Sequence, residues 1–153
     1  MNTRAGIQVF GIPSDHQFTS QDDLIAILLD SLRPANTLHN GDIIVITSKV
    51  VAKCEGRVVT EVQDRESAIR SETKRVVATK VHDRGVTTIV ETHTGLILAA
   101  AGVDASNTEP GTIVLLPVDS DHSARRLREQ IEERAGVSIG VIITDTLGRA
   151  WRL

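Results

Sequence analysis

Aromatic residues are almost absent from this chain, which has two Phe, one Trp and no Tyr among its 153 residues. Its 17 Lys and Arg are outnumbered by 20 Asp and Glu, so the formal net charge is −3. Proteins that bind nucleic acids usually have the opposite composition, with basic surfaces that contact phosphates and aromatic side chains that stack on bases. The composition therefore predicts no nucleic-acid partner.

Cysteines and long apolar runs are also missing. Cys54 is the single cysteine, so no intrachain disulfide can form and a reducing compartment suits the thiol. No stretch approaches the roughly 20 apolar residues of a membrane span. The amino-terminal segment MNTRAGIQVFGIP lacks a continuous apolar run of signal-peptide length. We therefore expect a soluble, cytoplasmic protein with no membrane partner.

The common phosphate and metal motifs are missing too. The chain contains neither G-x-x-x-x-G-K-[ST] nor G-x-G-x-x-G, which excludes a P-loop and a dinucleotide fingerprint. It also lacks H-E-x-x-H and cysteine pairs, and its histidines are scattered, which is typical of surface or loop residues without a catalytic role. Any nucleotide or metal must therefore be held by other residues. The five histidines are His16, His39, His82, His93 and His122.

The hydrophobic pattern alternates between the periods of strands and helices. Short apolar runs predict strands at residues 7–10, 43–46, 87–91, 96–101, 113–116 and 139–144, with a hairpin between the third and fourth. Helical spacing predicts a helix capped by Thr19 or Ser20, a second at about 64–80, and a third at 120–135 that ends at Gly136. The chain length fits one domain. The predicted fold is α/β, with a mixed sheet of about five to six strands and helices packed on it.

Two acidic loops that follow apolar runs give the strongest chemical signal. The run LILAAAGVDASN contains Asp104, and VIITDTLGRAW contains Asp145. Because open α/β sheets bind ligands at the carboxyl ends of their strands, we expect both carboxylates at one ligand site there. Carboxylate oxygens suit Mg²⁺ or Mn²⁺, which often keep phosphates and water as further ligands.

Further polar residues follow the predicted strand at 43–46, and their hydroxyl and ammonium groups suit phosphate oxygens. Taken singly, each candidate has a simpler interpretation, since lysines are usually solvated and Asp or Asn often closes a turn. Their joint placement after buried strands favours a site instead. The candidates are Thr47, Ser48, Lys49, Lys53, Asp104, Ser106, Asn107, Thr144, Asp145, Thr146 and Arg149.

Four separated segments carry a more specific signal. They read GDIIVITSKVVAKCEGRVV, GLILAAAGVDASN, LLPVDSDHSARRLRE and VIITDTLGRAWR. In this order and at this spacing, between Gly11 and Arg152, they resemble the coenzyme F420:L-glutamate ligase family, also called F420-0:gamma-glutamyl ligase. The resemblance implies a GDP-forming ligase that uses GTP to join L-glutamate to the terminal carboxylate of coenzyme F420-0, with an acyl phosphate as intermediate. The tail is then extended through gamma-glutamyl links.

The resemblance also implies roles for individual residues. Lys53, Asp104 and Asp145 would be catalytic, and Lys53 would reach the phosphates of GTP. Two divalent cations, Mg²⁺ or Mn²⁺, would be held by Asp104, Asp145 and Thr146, with K⁺ as a further candidate cofactor. Arg149 and Arg152 are weaker candidates for contacts with an anionic substrate. The residues implied to bind GTP are Ile12, Pro13, Ser14, Asp15, Ser48, Lys49, Lys53 and Asn107.

The resemblance sets expectations for domain organisation as well. Residues 1–153 would form a single α/β domain that corresponds to the N-terminal part of the ligase, without the family's C-terminal part and its further ligands. A homodimer is implied for the complete protein. Two alternatives remain open: a nucleotide- and metal-binding fragment without ligase activity, and an unrelated metal-dependent phosphotransferase of similar design. The four concordant segments favour the family over the phosphotransferase.

Overall fold

The computed structural model describes residues 6–32, 37–60, 65–83, 85–105 and 110–146. Within these ranges the α/β class is confirmed, and no helix there is long and apolar enough to cross a lipid bilayer. The helices and strands of these ranges are α1 Leu24–Leu32, β1 Ile43–Thr47, α2 Ser48–Cys54, β2 Val58–Val59, α3 Arg65–Glu72, β3 Thr73–His82, β4 Gly85–Thr92, β5 Ile97–Ala99, β6 Ile113–Val114, α4 Ser120–Ala135 and β7 Gly140–Thr144.

The described strands form three small sheets instead of the single mixed sheet that we predicted. β1 and β7 pair in parallel, β2 and β6 pair antiparallel, and β3, β4 and β5 form an antiparallel sheet in that order. The hairpin predicted between the strands at 87–91 and 96–101 is confirmed as the β4–β5 pair. Hydrophobic periodicity identifies strands but does not encode their partners, so the division into three sheets was not readable from the sequence.

The first hydrophobic core is formed by the β1–β7 pair and helices α1, α2 and α4. Ile44 and Ile46 point inward from β1 and pack in one cluster with residues of α1 and α4, including the fully buried Ile131. The opposite face of β1 is open, because Ile43 and Val45 are each 61% exposed. Helices therefore cover one face of this parallel pair in the described part of the chain.

A second core is formed by residues of the antiparallel sheet, of α3 and of the region around β6. It contains Ile69 from α3, Val90 from β4, and Ala101 and Val103 from the segment that follows β5. Ile113 and Leu115 complete this cluster from the region of β6. The two cores lie on different sheets, and Ala101 and Val103, which follow β5, belong to the second.

Two expectations near the amino terminus are wrong. Residues 7–10 have no regular structure, and Ile7 is 94% exposed, because no strand of the described residues pairs with this segment. The cap of α1 is Asp23, whose carboxylate accepts a hydrogen bond from the Ala26 amide at 3.1 Å. Thr19 instead donates its amide and its hydroxyl to the Asp22 carboxylate, at 2.6 and 2.9 Å.

The long helix predicted at about 64–80 is also wrong in its second half. α3 ends at Glu72, and the chain continues from Thr73 as β3, which pairs along its length with β4. This segment is rich in β-branched residues, which favour strands when a partner strand is available. The strand predicted at 96–101 is shorter than expected, since β5 ends at Ala99.

The helix predicted at 120–135 is confirmed residue for residue as α4. Its N-cap is Asp119, whose carboxylate accepts a hydrogen bond from the His122 amide at 2.8 Å. Its end is set by Gly136, which has a left-handed φ of 70° and donates its amide to the Glu132 carbonyl. Both ends are local sequence features, which explains why the prediction succeeded.

We expect Asp119→Ala to lower the free energy of unfolding by about 1 kcal/mol, because the substitution removes the acceptor that caps α4. Asp119→Ser should retain most of the stability, since serine is also a good N-cap residue. Urea unfolding followed by circular dichroism measures both values. Asp121→Ala, in the exposed first turn of the same helix, is the control. Equal stability of the Asp119→Ala and Asp119→Ser proteins would contradict this role.

Candidate active site

A cavity of about 560 Å³ lies where the ends of the parallel strands meet the antiparallel sheet. It is lined by residues from β1, α2, α3 and β4, by the segment around β5, and by the residues after β7. Its polar lining residues are Thr47, Lys49, Arg65, Glu66, Thr87, Thr88, Asp104, Asp145 and Thr146. The cavity therefore combines carboxylates, hydroxyls and two cationic side chains.

The parallel pairing of β1 and β7 accounts for one side of the cavity. Thr47 and Thr144, the last residues of the two strands, are partners in the ladder. The segments that follow them, Ser48-Lys49 and Asp145-Thr146, therefore leave the same edge of the sheet. This is the edge at which α/β sheets usually bind ligands.

Lys49 and Asp104 form a direct ion pair in the cavity. The Lys49 ammonium lies 2.6 Å from the Asp104 carboxylate, and the two side chains are 27% and 39% exposed. The backbone of Asp104 is fixed against β6, because it donates its amide to the Val114 carbonyl at 3.0 Å and accepts from the Val114 amide at 2.8 Å. Asp104 therefore enters the cavity from a restrained backbone.

A left-handed turn leads into Asp104. Ala100, Ala101 and Gly102 have φ values of 50°, 52° and 72°, and the Val103 amide donates to the Ala100 carbonyl at 3.0 Å. For a residue other than glycine, this conformation costs roughly 1–2 kcal/mol. Backbone strain of this kind persists only where the surrounding structure enforces it, and it is concentrated at functional sites.

The donor set of the cavity fits a divalent cation of the Mg²⁺ type. Asp104, Asp145 and Thr146 all line the cavity, and Mg²⁺ commonly takes one or two carboxylates together with water and phosphate oxygens. Within the residues that the structure describes, no three His, Cys, Asp or Glu side chains come together as a metal-binding group. A bound ion would therefore complete its coordination from solvent, from a phosphate or from other residues.

Comparison with known proteins identifies the family. The family model described as F420-0:gamma-glutamyl ligase matches residues 16–153. The chain belongs to this family. Coenzyme F420:L-glutamate ligase of Methanopyrus kandleri is 32% identical over 95% of the chain, and the protein of the same name from Archaeoglobus fulgidus is 33% identical over 95%. That of Methanothermobacter thermautotrophicus is 30% identical over 96%. The chain spans 62%, 62% and 64% of the length of these three relatives.

The structure brings together four of the site residues that the family resemblance implies. Lys49, Asp104, Asp145 and Thr146 line the same cavity. They come from three separate parts of the chain, so their meeting depends on the fold. The ion pair between Lys49 and Asp104 was not anticipated, and it links a residue predicted at the nucleotide to one predicted at the cation.

Other implied residues lie elsewhere. Ser48 is buried at the start of α2, and Lys53 lies one turn beyond Lys49 on the same helix. Residues 12–15 are exposed in a segment without regular structure, where the Ser14 hydroxyl accepts from the His16 amide at 3.2 Å. None of these residues lines the cavity, and their roles stay predictions. Three implied residues, Asn107, Arg149 and Arg152, lie outside the described residues.

Sequence reasoning missed Arg65, Glu66 and the hydroxyls of β4 at Thr87 and Thr88. One feature could have drawn attention to Arg65, because it is a cation at the amino end of a helix. A cation there opposes the helix dipole, which suggests that the residue is kept for a contact outside its own helix. The threonines gave no signal, because threonine is common in strands for reasons of backbone preference alone.

Cys54 lies away from this cavity, at the end of α2, where it packs against the first core. Burial raises the pKa of its thiol, and the charges of Asp22 and Glu55 act in the same direction, so that the pKa rises from the usual 9.0 to about 11. The raised pKa favours the neutral thiol in the folded protein. Its stabilising contribution is therefore complete below pH 9.0 and is lost as the pH rises toward 11.

At pH 8 we expect iodoacetamide to alkylate Cys54 at least about tenfold more slowly than it alkylates a free cysteine derivative, because only the thiolate reacts. Mass spectrometry over time gives both rates. The same protein unfolded in urea is the control and should react at the rate of the free derivative. A native thiol that reacts as fast as the unfolded one would contradict the raised pKa.

Proposed function

We propose that this chain provides the nucleotide and metal site of a GTP-dependent ligase that joins L-glutamate to the terminal carboxylate of coenzyme F420-0. The observation that carries the proposal is the convergence of Lys49, Asp104, Asp145 and Thr146 on one cavity in a member of this family. The names of the relatives support glutamate and coenzyme F420 as the substrates.

The reaction needs an activation step, because a carboxylate does not react with an amine at neutral pH. An oxygen of the coenzyme F420-0 carboxylate attacks the γ-phosphorus of GTP, the bond to the β-phosphate oxygen breaks, and GDP leaves. The amine of L-glutamate then attacks the acyl carbon of the acyl phosphate and loses a proton, and inorganic phosphate leaves. The product is an amide, so the reaction converts GTP into GDP and phosphate for each glutamate added.

The residues of the cavity fit the charges of this reaction. The Lys49 ammonium is suited to phosphate oxygens, and Lys53 lies one helical turn away on the same helix. The carboxylates of Asp104 and Asp145 are suited to holding one or two divalent cations against the phosphates. Such a cation would neutralise the phosphate charge and align the attacking and leaving oxygens.

The test is a ligation assay on the purified chain. The protein is incubated with GTP, Mg²⁺ or Mn²⁺, K⁺, L-glutamate and coenzyme F420-0, and mass spectrometry is used to look for one added glutamyl unit. The expected result is product that depends on GTP, on the divalent cation and on glutamate. ATP in place of GTP is the matched nucleotide control and should give less product.

A second candidate function is binding of nucleotide and metal without ligation. It rests on the same convergence of Lys49, Asp104, Asp145 and Thr146 on one cavity and omits the ligation step. A chain that binds GTP and Mn²⁺ in titration calorimetry but forms no product would support this candidate. A chain that binds neither ligand would contradict both candidates.

A further inference from the structure

We infer that Arg65 is a positioning residue that fixes the direction of the Asp104 side chain in the cavity. The inference rests on the proposed function for its effect on catalysis, but its structural part concerns only the backbone at residues 103 and 104. Arg65 lies at the start of α3 and contacts Val103, which lies 38 residues later in the chain. The inference depends on this contact.

That contact joins the guanidinium of Arg65 to the carbonyl oxygen of Val103 at 3.0 Å. The same peptide unit carries the amide of Asp104, which donates to the Val114 carbonyl at 3.0 Å. One peptide plane is therefore held at both ends, by Arg65 on one side and by β6 on the other. Because this plane forms one side of the φ torsion of Asp104, holding it restrains the direction in which the side chain leaves the backbone.

The preceding turn explains why such a restraint is needed. Ala100, Ala101 and Gly102 all adopt positive φ, which is unfavourable for alanine, so the segment would relax if it were not held from outside. α3 provides that hold by two contacts: Ile69 packs in the same core cluster as Ala101 and Val103, and Arg65 binds the Val103 carbonyl. An arginine is suited to this role because its charge persists at every accessible pH.

The position of Arg65 in its own helix agrees with this role. A cation at the amino end of a helix is disfavoured by the helix dipole, so α3 gains nothing locally from an arginine there. Arg65 lines the same cavity as Lys49, Asp104 and Asp145. Its positive charge therefore faces the site, while its hydrogen bond acts on the backbone that presents Asp104.

The test compares Arg65→Lys and Arg65→Met with the unchanged protein and with Arg128→Met, an exposed arginine of α4, as control. The first measurement is amide hydrogen exchange by NMR, without metal or nucleotide. We expect the Asp104 amide to exchange at least about tenfold faster in Arg65→Met, because a charged hydrogen-bond donor has been removed. Arg65→Lys should lie between the two, and Arg128→Met should match the unchanged protein.

The second measurement is Mn²⁺ binding followed by electron paramagnetic resonance. We expect the dissociation constant for Mn²⁺ to be about tenfold larger in Arg65→Met, intermediate in Arg65→Lys and unchanged in Arg128→Met. Unchanged exchange at Asp104 in a folded Arg65→Met protein would overturn the inference, even if ligation were lost. If the unchanged protein binds no Mn²⁺, the proposed function fails, while the exchange measurement still decides the role of Arg65.

Discussion

Replacing Asp104 or Asp145 by Asn is expected to lower the rate of glutamate ligation at least about hundredfold, because each substitution removes a negative charge that would hold a divalent cation against the phosphates. Asn keeps the size of the side chain and an oxygen acceptor, so the cavity retains its shape. In the Asp104→Asn protein the Lys49 ammonium also loses its ionic partner at 2.6 Å. We therefore expect this variant to show altered nucleotide affinity as well, whereas Asp145→Asn should affect mainly the cation.

The measurement combines product detection by mass spectrometry with release of phosphate from GTP. Asp30→Asn, an exposed carboxylate of α1, is the matched control and should ligate normally. Circular dichroism and thermal unfolding establish that each variant is folded. Normal ligation and GTP turnover in a folded Asp104→Asn or Asp145→Asn protein would refute the assignment of that carboxylate to the site.

The second large effect is expected at Gly102, where alanine should lower the free energy of unfolding by about 2–4 kcal/mol. Two causes add. The residue has a left-handed φ of 72°, and an added Cβ would lie 2.7 and 2.8 Å from Leu116 side-chain atoms and 2.9 Å from the Leu98 side chain. Real Cβ atoms do not approach other atoms this closely, so the side chain of Leu116 or of the buried Leu98 would have to move.

Gly136→Ala separates the two causes. Gly136 has a similar φ of 70°, but an added Cβ there would meet no atom within 4 Å. This variant should therefore show only the cost of the backbone conformation, about 1 kcal/mol. Urea unfolding of both proteins gives the difference. If Gly102→Ala and Gly136→Ala lowered the free energy of unfolding equally, Leu98 and Leu116 would have moved aside without an energetic penalty, which would contradict the prediction.

The most accurate predictions came from local features of the chain. α4 was located to the residue by its helical spacing and by Gly136, and the structure adds Asp119 as the N-cap. The helix expected at 64–80 failed because its second half pairs with β4, and the energy of that pairing is not visible in the segment itself. Residues 7–10 show the converse case, in which a strand-like pattern finds no partner among the described residues.

For the site, sequence reasoning found the acidic and basic residues that follow buried strands. Lys49 and Asp145 follow the paired ends of β1 and β7, which is a general arrangement in α/β sheets, whereas Asp104 comes from the segment between β5 and β6 and contacts Lys49 by an ion pair. Arg65 does not follow a strand, so this pattern could not identify it. Its contact with Val103 depends on how α3 packs against the left-handed turn. The side-chain chemistry was therefore readable in the sequence, and the restraint on its geometry was not.

The parallel pairing of β1 with β7 has a consequence for the order of events during folding. The two strands, Ile43–Thr47 and Gly140–Thr144, are far apart along the chain, so closing this contact costs the entropy of a long loop. Hairpins such as β3–β4 can form early, whereas contacts between distant segments form slowly. Asp145 can join Lys49 only after this contact has closed, so a chain in which only the antiparallel sheet had formed would still lack one side of the cavity.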